Sequence, residues 1–151
     1  MEFEKLLLEA DAIGIPVTEK PFKTYDGRIK NNKIYLRNDM AETQKKCVLA
    51  EELGHYHTTV GNILDQQVIV NRKQERRARL WAYDKLISLF GIIEAYNAGC
   101  RNSYEMADHL GVTEEFLAEA LEVYKTKYGL YAKVDDYIIY FDPALAVLKI
   151  K

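Results

Sequence analysis

Cysteine, histidine, proline and long apolar runs are all scarce in this 151-residue chain. The two cysteines, Cys47 and Cys100, lie far apart with no CxxC spacing, which excludes a cysteine-based zinc finger and suggests reduced thiols in a cytoplasmic protein. With only three histidines, His55, His57 and His109, any metal site has to lean on carboxylates. Neither sign of charge dominates: 21 Lys and Arg stand against 23 Asp and Glu, for a net charge of -2. That balance opposes a protein built mainly to bind phosphate backbones or anionic membrane surfaces. The one leucine run, Leu6 to Leu8, is short and flanked by acids, so neither a signal peptide nor a membrane span is expected.

What remains is ordinary globular composition, 48% hydrophobic and 29% charged. A chain of this length buries roughly 70% of its unfolded surface, enough for a core without staples. One domain over residues 1–151 is expected, with a core over 1–98 and a helical segment plus final strand over 99–151.

Residues 2–13 place Phe3, Leu6, Leu7 and Ala10 at helical spacing, and Gly14 and Pro16 end the pattern. From Pro16 to Arg37 the period shifts to two, broken by the turn signals Asp26-Gly27 and Asn31-Asn32, which predicts a small antiparallel sheet. Asp39 and Glu42 have capping-box spacing, so a helix should start at Asp39 and run to about Thr59. Its core stripe is Leu49, Leu53, Tyr56 and Val60, with Glu51 and His55 on the opposite side. A second long helix is predicted over 72–96, with Ala78, Ala82, Leu86, Leu89 and Ile93 recurring, after a connecting hairpin at about Gly61 to Asn71. Ser103 to Tyr124 reads as helix, Gly111 turn, Thr113 cap and helix, a helix-turn-helix pattern. A last strand is predicted at Tyr137 to Phe141.

The informative segment is Glu51-Glu52-Leu53-Gly54-His55. It differs from H-E-x-x-H only in carrying Glu51 where the first histidine would stand. Residues at i and i+4 share a helix face and can grip one metal ion, and the Glu between them activates a water. A carboxylate is a legitimate zinc ligand, so Glu51 and His55 keep the spacing and Glu52 keeps the base position. The same string also arises on ordinary helices as two solvated acids and a surface histidine. Glu75, at the start of the second helix, is available as a third ligand, or as a plain i,i+4 partner of Arg79. His57 is rotated about 200° from His55, onto another face.

Taken together these residues resemble the ImmA/IrrE family of metallo-endopeptidases from mobile elements and bacteria. The similarity covers Gly14 to Val17, Tyr25 to Arg28, Ile34 to Arg37, the Leu49 to Tyr56 motif helix and Glu75-x-x-Ala78-x-x-x-Ala82. It extends more loosely through the helix-turn-helix-like segment. The resemblance implies an α+β, zincin-like fold, with Glu52 as general base and with His55 and Glu75 as metal ligands. Glu51 takes the place of the usual histidine ligand. It also implies zinc, with manganese or another divalent cation as a substitute in vitro. Two neutral histidines and one glutamate leave a dication site at +1, whereas Glu51, His55 and Glu75 leave it formally neutral. A neutral site acidifies its bound water less and favours zinc less strongly over harder ions, so slow or conditional activity is expected.

The implied function is a metal-dependent endopeptidase or antirepressor that cleaves or inactivates a helix-turn-helix transcriptional repressor of a prophage or mobile element. The alternative is a weak or inactive regulator that binds the repressor without cutting it. The Ile34-Tyr35-Leu36 strand, if at a sheet edge, could receive an extended substrate by strand addition, or be an edge guarded by Lys33 and Arg37. The helix-turn-helix-like segment carries Glu105, Asp108, Glu114, Glu115, Glu119 and Glu122 with no Lys or Arg between Ser103 and Tyr124, which opposes DNA binding. The basic cluster Arg72, Lys73, Arg76, Arg77 and Arg79 surrounds Glu75, as a solvated face, as a field that keeps Glu75 ionised, or as both.

Overall fold

The structure, a computed structural model, describes residues 1–59 and 72–150. Val60 of the expected core stripe and the hairpin expected at Gly61 to Asn71 lie outside the described residues. The chain separates into two compact units, Met1–Lys85 and Leu86–Lys151. No helix among the described residues is long and apolar enough to cross a membrane.

The first unit opens with α1, Phe3–Ala12, which buries Leu6 and Ala10 fully. It ends where Gly14 turns to positive φ and Ile15 N–H bonds the Ala10 carbonyl at 2.9 Å. Three strands follow: β1 (Val17–Lys20), β2 (Gly27–Lys30) and β3 (Lys33–Arg37). β2 and β3 form an antiparallel hairpin closed by Asn31 and Asn32, both at positive φ as a type I′ turn requires. The order is β1-β3-β2, and β1 pairs with β3 in parallel, so the expected antiparallel sheet is in fact mixed. β3 supplies Ile34 and Leu36, both fully buried, and this most apolar strand takes the centre while the polar β1 and β2 take the edges. Period-two patterning reports that a strand exists but not which way its neighbour runs. Phe22 and Tyr25 belong to the β1–β2 connection, with ring centroids 4.6 Å apart.

Helix α2, Glu42–Thr58, packs on α1, β2 and β3. Its N-cap is Ala41, without a side-chain cap, so the expected Asp39 box does not form. Asp39 is instead engaged by Arg37, whose Nε donates to Oδ1 at 2.6 Å, and Asp26 takes the same guanidinium at 2.6 Å through Nη1. The predicted single helix over 72–96 is two: α3 (Arg72–Leu86) and α4 (Ser88–Asn97). The break falls at Ser88, which sits at φ 59 and accepts the Gly91 N–H on its hydroxyl at 3.2 Å.

In the second unit α5 (Ser103–Leu110) and α6 (Glu114–Tyr128) form the expected pair around Gly111, which adopts left-handed backbone at φ 69. Asn102 and Thr113 cap them, accepting from Glu105 N–H at 2.8 Å and Phe116 N–H at 3.0 Å. Three strands, β4 (Tyr131–Val134), β5 (Tyr137–Tyr140) and β6 (Ala146–Lys149), close the chain as an antiparallel meander. Only β5 was expected. Its inward Ile139 faces Ala132 and Val147, while four-residue β4 and β6 bury too little for their alternation to stand out.

Candidate metal centre

The site is built where α2 meets α3. Gly54 lies so close to Ala78 that an added Cβ would overlap the Ala78 carbonyl oxygen. Ala78 and Ala82 of α3 are fully buried, so small residues on both helices let their backbones approach. The residue after Gly54 is His55, and the residue one turn before Ala78 is Glu75. The close approach therefore brings these two together.

His55 Nε2 lies 3.4 Å from Glu75 Oε2. Two ligands on one tetrahedral ion, each bound at about 2.0–2.1 Å, stand roughly 3.3 Å apart, so this separation suits a shared cation. Burial holds the His55 imidazole below its ordinary 6.5; Glu75 opposes that shift and Arg79 adds to it. A neutral imidazole offers a lone pair, as metal ligation needs. Glu75 uses its other oxygen, Oε1, to accept from Arg79 Nε at 3.1 Å.

Glu52 projects from α2 beside Gly27, the first residue of β2, where a Cβ would come 3.4 Å from Glu52 Cγ and overlap Val48. Its carboxyl is pushed up from 4.5 to about 8, first by burial and then by the Glu51 and Glu75 carboxylates. Glu51 and Glu75 both act on Glu52, and a divalent cation nearby would relieve that repulsion. Among the described residues, however, no three His, Cys, Asp or Glu side chains gather at metal-holding distance. His55 and Glu75 fit a cation as a pair. Glu51, one turn before His55, lies within electrostatic reach of Glu52 and Arg79 but does not complete a ligand set with them.

The strand-addition expectation for Ile34, Tyr35 and Leu36 fails. β3 is central and paired on both sides, and Ile34 and Leu36 point into the core. The edge strand beside Glu52 is β2. His57 stacks on Trp81, with centroids 4.7 Å apart and planes 23° from parallel, in a recess it shares with Glu9 and Lys85, away from His55. His109 stands exposed in the last turn of α5. One contributor is missed by sequence reasoning, Gly54, whose place inside the motif is the only signal; Arg79 is legible there as a partner of Glu75 and as part of the basic cluster around it.

Residues 10–122 match the family model described as Peptidase_M78, IrrE N-terminal-like domain. No curated protein and no solved structure matches the chain. The family match takes in β1 to β3, the Glu51 to His55 motif, Glu75 and most of α6. By a match over most of its length, the chain belongs to the IrrE N-terminal-like family of metallopeptidase-type domains.

Proposed function

We propose that this protein is a metal-dependent endopeptidase that cleaves, and so inactivates, a helix-turn-helix repressor of a prophage or mobile element. The observation that carries the proposal is the 3.4 Å approach of His55 Nε2 to Glu75 Oε2 beside the half-buried Glu52. Family membership supports the peptidase chemistry. His55 and Glu75 would hold zinc, or a harder divalent ion that an oxygen-rich ligand set tolerates, and Glu51 would have to move to join them. When bound, such an ion polarises a peptide carbonyl and acidifies water.

The protein's own part centres on Glu52. A cation nearby would draw its raised carboxyl back towards the ionised form. The carboxylate then accepts a proton from the attacking water and returns it to the leaving amine. β2 pairs with β3 on one side and with no other strand among the described residues, so an extended substrate segment can add there beside Glu52. Gly27, where a Cβ would overlap Val48, lets that end of the strand pack closely on α2 beside Glu52.

The test is incubation with the repressor encoded beside this gene, with and without chelator. Fragments that require the metal support the proposal, and loss of cutting in Glu52→Gln with retained binding supports the assigned base. A second reading, a regulator that binds without cutting, draws on the ligand set being a pair, His55 and Glu75, among the described residues. It expects a complex and no fragments under any metal.

A further inference from the structure

We propose that Arg79 is a positioning residue for Glu75, fixing that carboxylate so that one oxygen serves the metal while the guanidinium takes the other. The inference rests on the metal-dependent reading above. Glu75 divides its two oxygens between two partners: Oε1 accepts from Arg79 Nε at 3.1 Å, and Oε2 faces His55 Nε2 at 3.4 Å. Left alone, a glutamate on the first turn of a helix, 40% exposed, would sample many rotamers. Held by Arg79 one turn later, it presents a single oxygen towards His55. An ordinary helix-surface pair at i,i+4 has no such second partner on the far oxygen.

Charge bears on the acidity of the bound water rather than on affinity, since a nearby guanidinium repels a cation. With Glu51 in place of a histidine, a dication held by Glu51, His55 and Glu75 is formally neutral. Arg79, paired to Glu75 and within electrostatic reach of Glu51, returns one positive charge to the surroundings. The guanidinium thus offsets the substitution that separates this motif from H-E-x-x-H. Because it engages Oε1 and leaves Oε2 to face His55, it does not contend with the ion for the same atom.

The experiment is a metal titration of wild type, Arg79→Ala and Arg79→Lys, with zinc affinity read by competition against a chromophoric chelator. The visible spectrum of the cobalt-loaded proteins reports ligand geometry. Arg79 is 46% exposed, so the metal-free variants should keep the wild-type melting temperature closely. Wild type is expected to bind one ion, Arg79→Ala to bind 10- to 100-fold more weakly with an altered cobalt spectrum, and Arg79→Lys to recover part of the loss. Unchanged affinity and spectrum in Arg79→Ala would overturn the role, leaving a plain surface ion pair. Tighter binding would overturn it too, since the guanidinium would then be competing with the ion. A wild type that binds no ion overturns the metal reading itself, visible in the first arm alone, and the role of Arg79 with it.

Discussion

Gly54 of α2 rests against the backbone of Ala78 on α3, with no room between them for a Cβ. On an isolated helix, replacing glycine by alanine gains about 1 kcal/mol from helix propensity. Here the added carbon meets a carbonyl held in its own helix, so the helices must part, and overpacking of this kind costs about 1–3 kcal/mol. Gly54→Ala is therefore expected to lower stability, the opposite sign to the propensity effect, by chemical denaturation of the metal-free protein. Because His55 and Glu75 flank this contact, the variant should also lose metal affinity. A stabilised variant with intact metal binding would mean the helices have slack at this point.

Glu52 makes the metal-free fold sensitive to pH. Its carboxyl titrates at about 8 in the folded protein against 4.5 ordinarily, raised by burial and by Glu51 and Glu75. Between these values the folded state keeps a proton that the unfolded chain has released. The fold is accordingly favoured below 4.5 and progressively loses that advantage as pH rises through 8. Glu52→Gln stays neutral throughout. With chelator present it should be more stable than wild type at pH 8, by a few kcal/mol at most, with the difference closing towards pH 4.5. Equal urea midpoints at both pH values would show that Glu52 is solvated.

What sequence patterning revealed and what it hid have physical causes. Helices with one buried stripe, such as α1 with Leu6 and Ala10, announce themselves, and so do capped pairs such as α5 and α6 around Gly111. The i,i+4 spacing of Glu51 and His55 placed two candidate ligands correctly on one helix. The partner in space, Glu75, is available by its place at the start of the second helix, but only the resemblance singles it out, because no local pattern says which turn of another helix will lie opposite. Strand direction was invisible for a similar reason: β1 runs parallel to β3 because the chain crosses the sheet, and alternation along Val17 to Lys20 carries no trace of that crossing. The break at Ser88 was hidden because the apolar repeat continues through it, from Leu86 to Ile93, while the backbone does not.

Two residues with the same N-cap chemistry should behave differently. Thr113 accepts the Phe116 N–H at 3.0 Å, so Thr113→Ala should cost about 1 kcal/mol in thermal or denaturant unfolding. Asp39 has capping spacing in sequence but is bound to Arg37 and caps nothing. Arg37 keeps Asp26 at 2.6 Å when Asp39 is removed, and exposed ion pairs are worth roughly 0–1 kcal/mol. Asp39→Ala should thus stay within about half a kcal/mol of wild type. A loss of 1 kcal/mol or more there would indicate that α2 begins at Asp39 in solution.

Glu51→His tests the chemistry of the site most directly. It replaces a carboxylate by an imidazole one turn before His55, taking a dication site formally from neutral to +1. Imidazole suits zinc, and carboxylates suit manganese and magnesium, so the ratio of zinc to manganese affinity should rise in the variant. The added positive charge should acidify bound water and raise kcat/KM on the repressor by about tenfold, equivalent to ~1.4 kcal/mol of barrier. The His variant also removes a carboxylate that helps push Glu52 upward, so its activity profile should extend to lower pH than that of wild type. If wild type binds zinc stoichiometrically and cuts as fast as the variant, Glu51 is no handicap, and the charge around the ion is already balanced by its neighbours, Arg79 first among them.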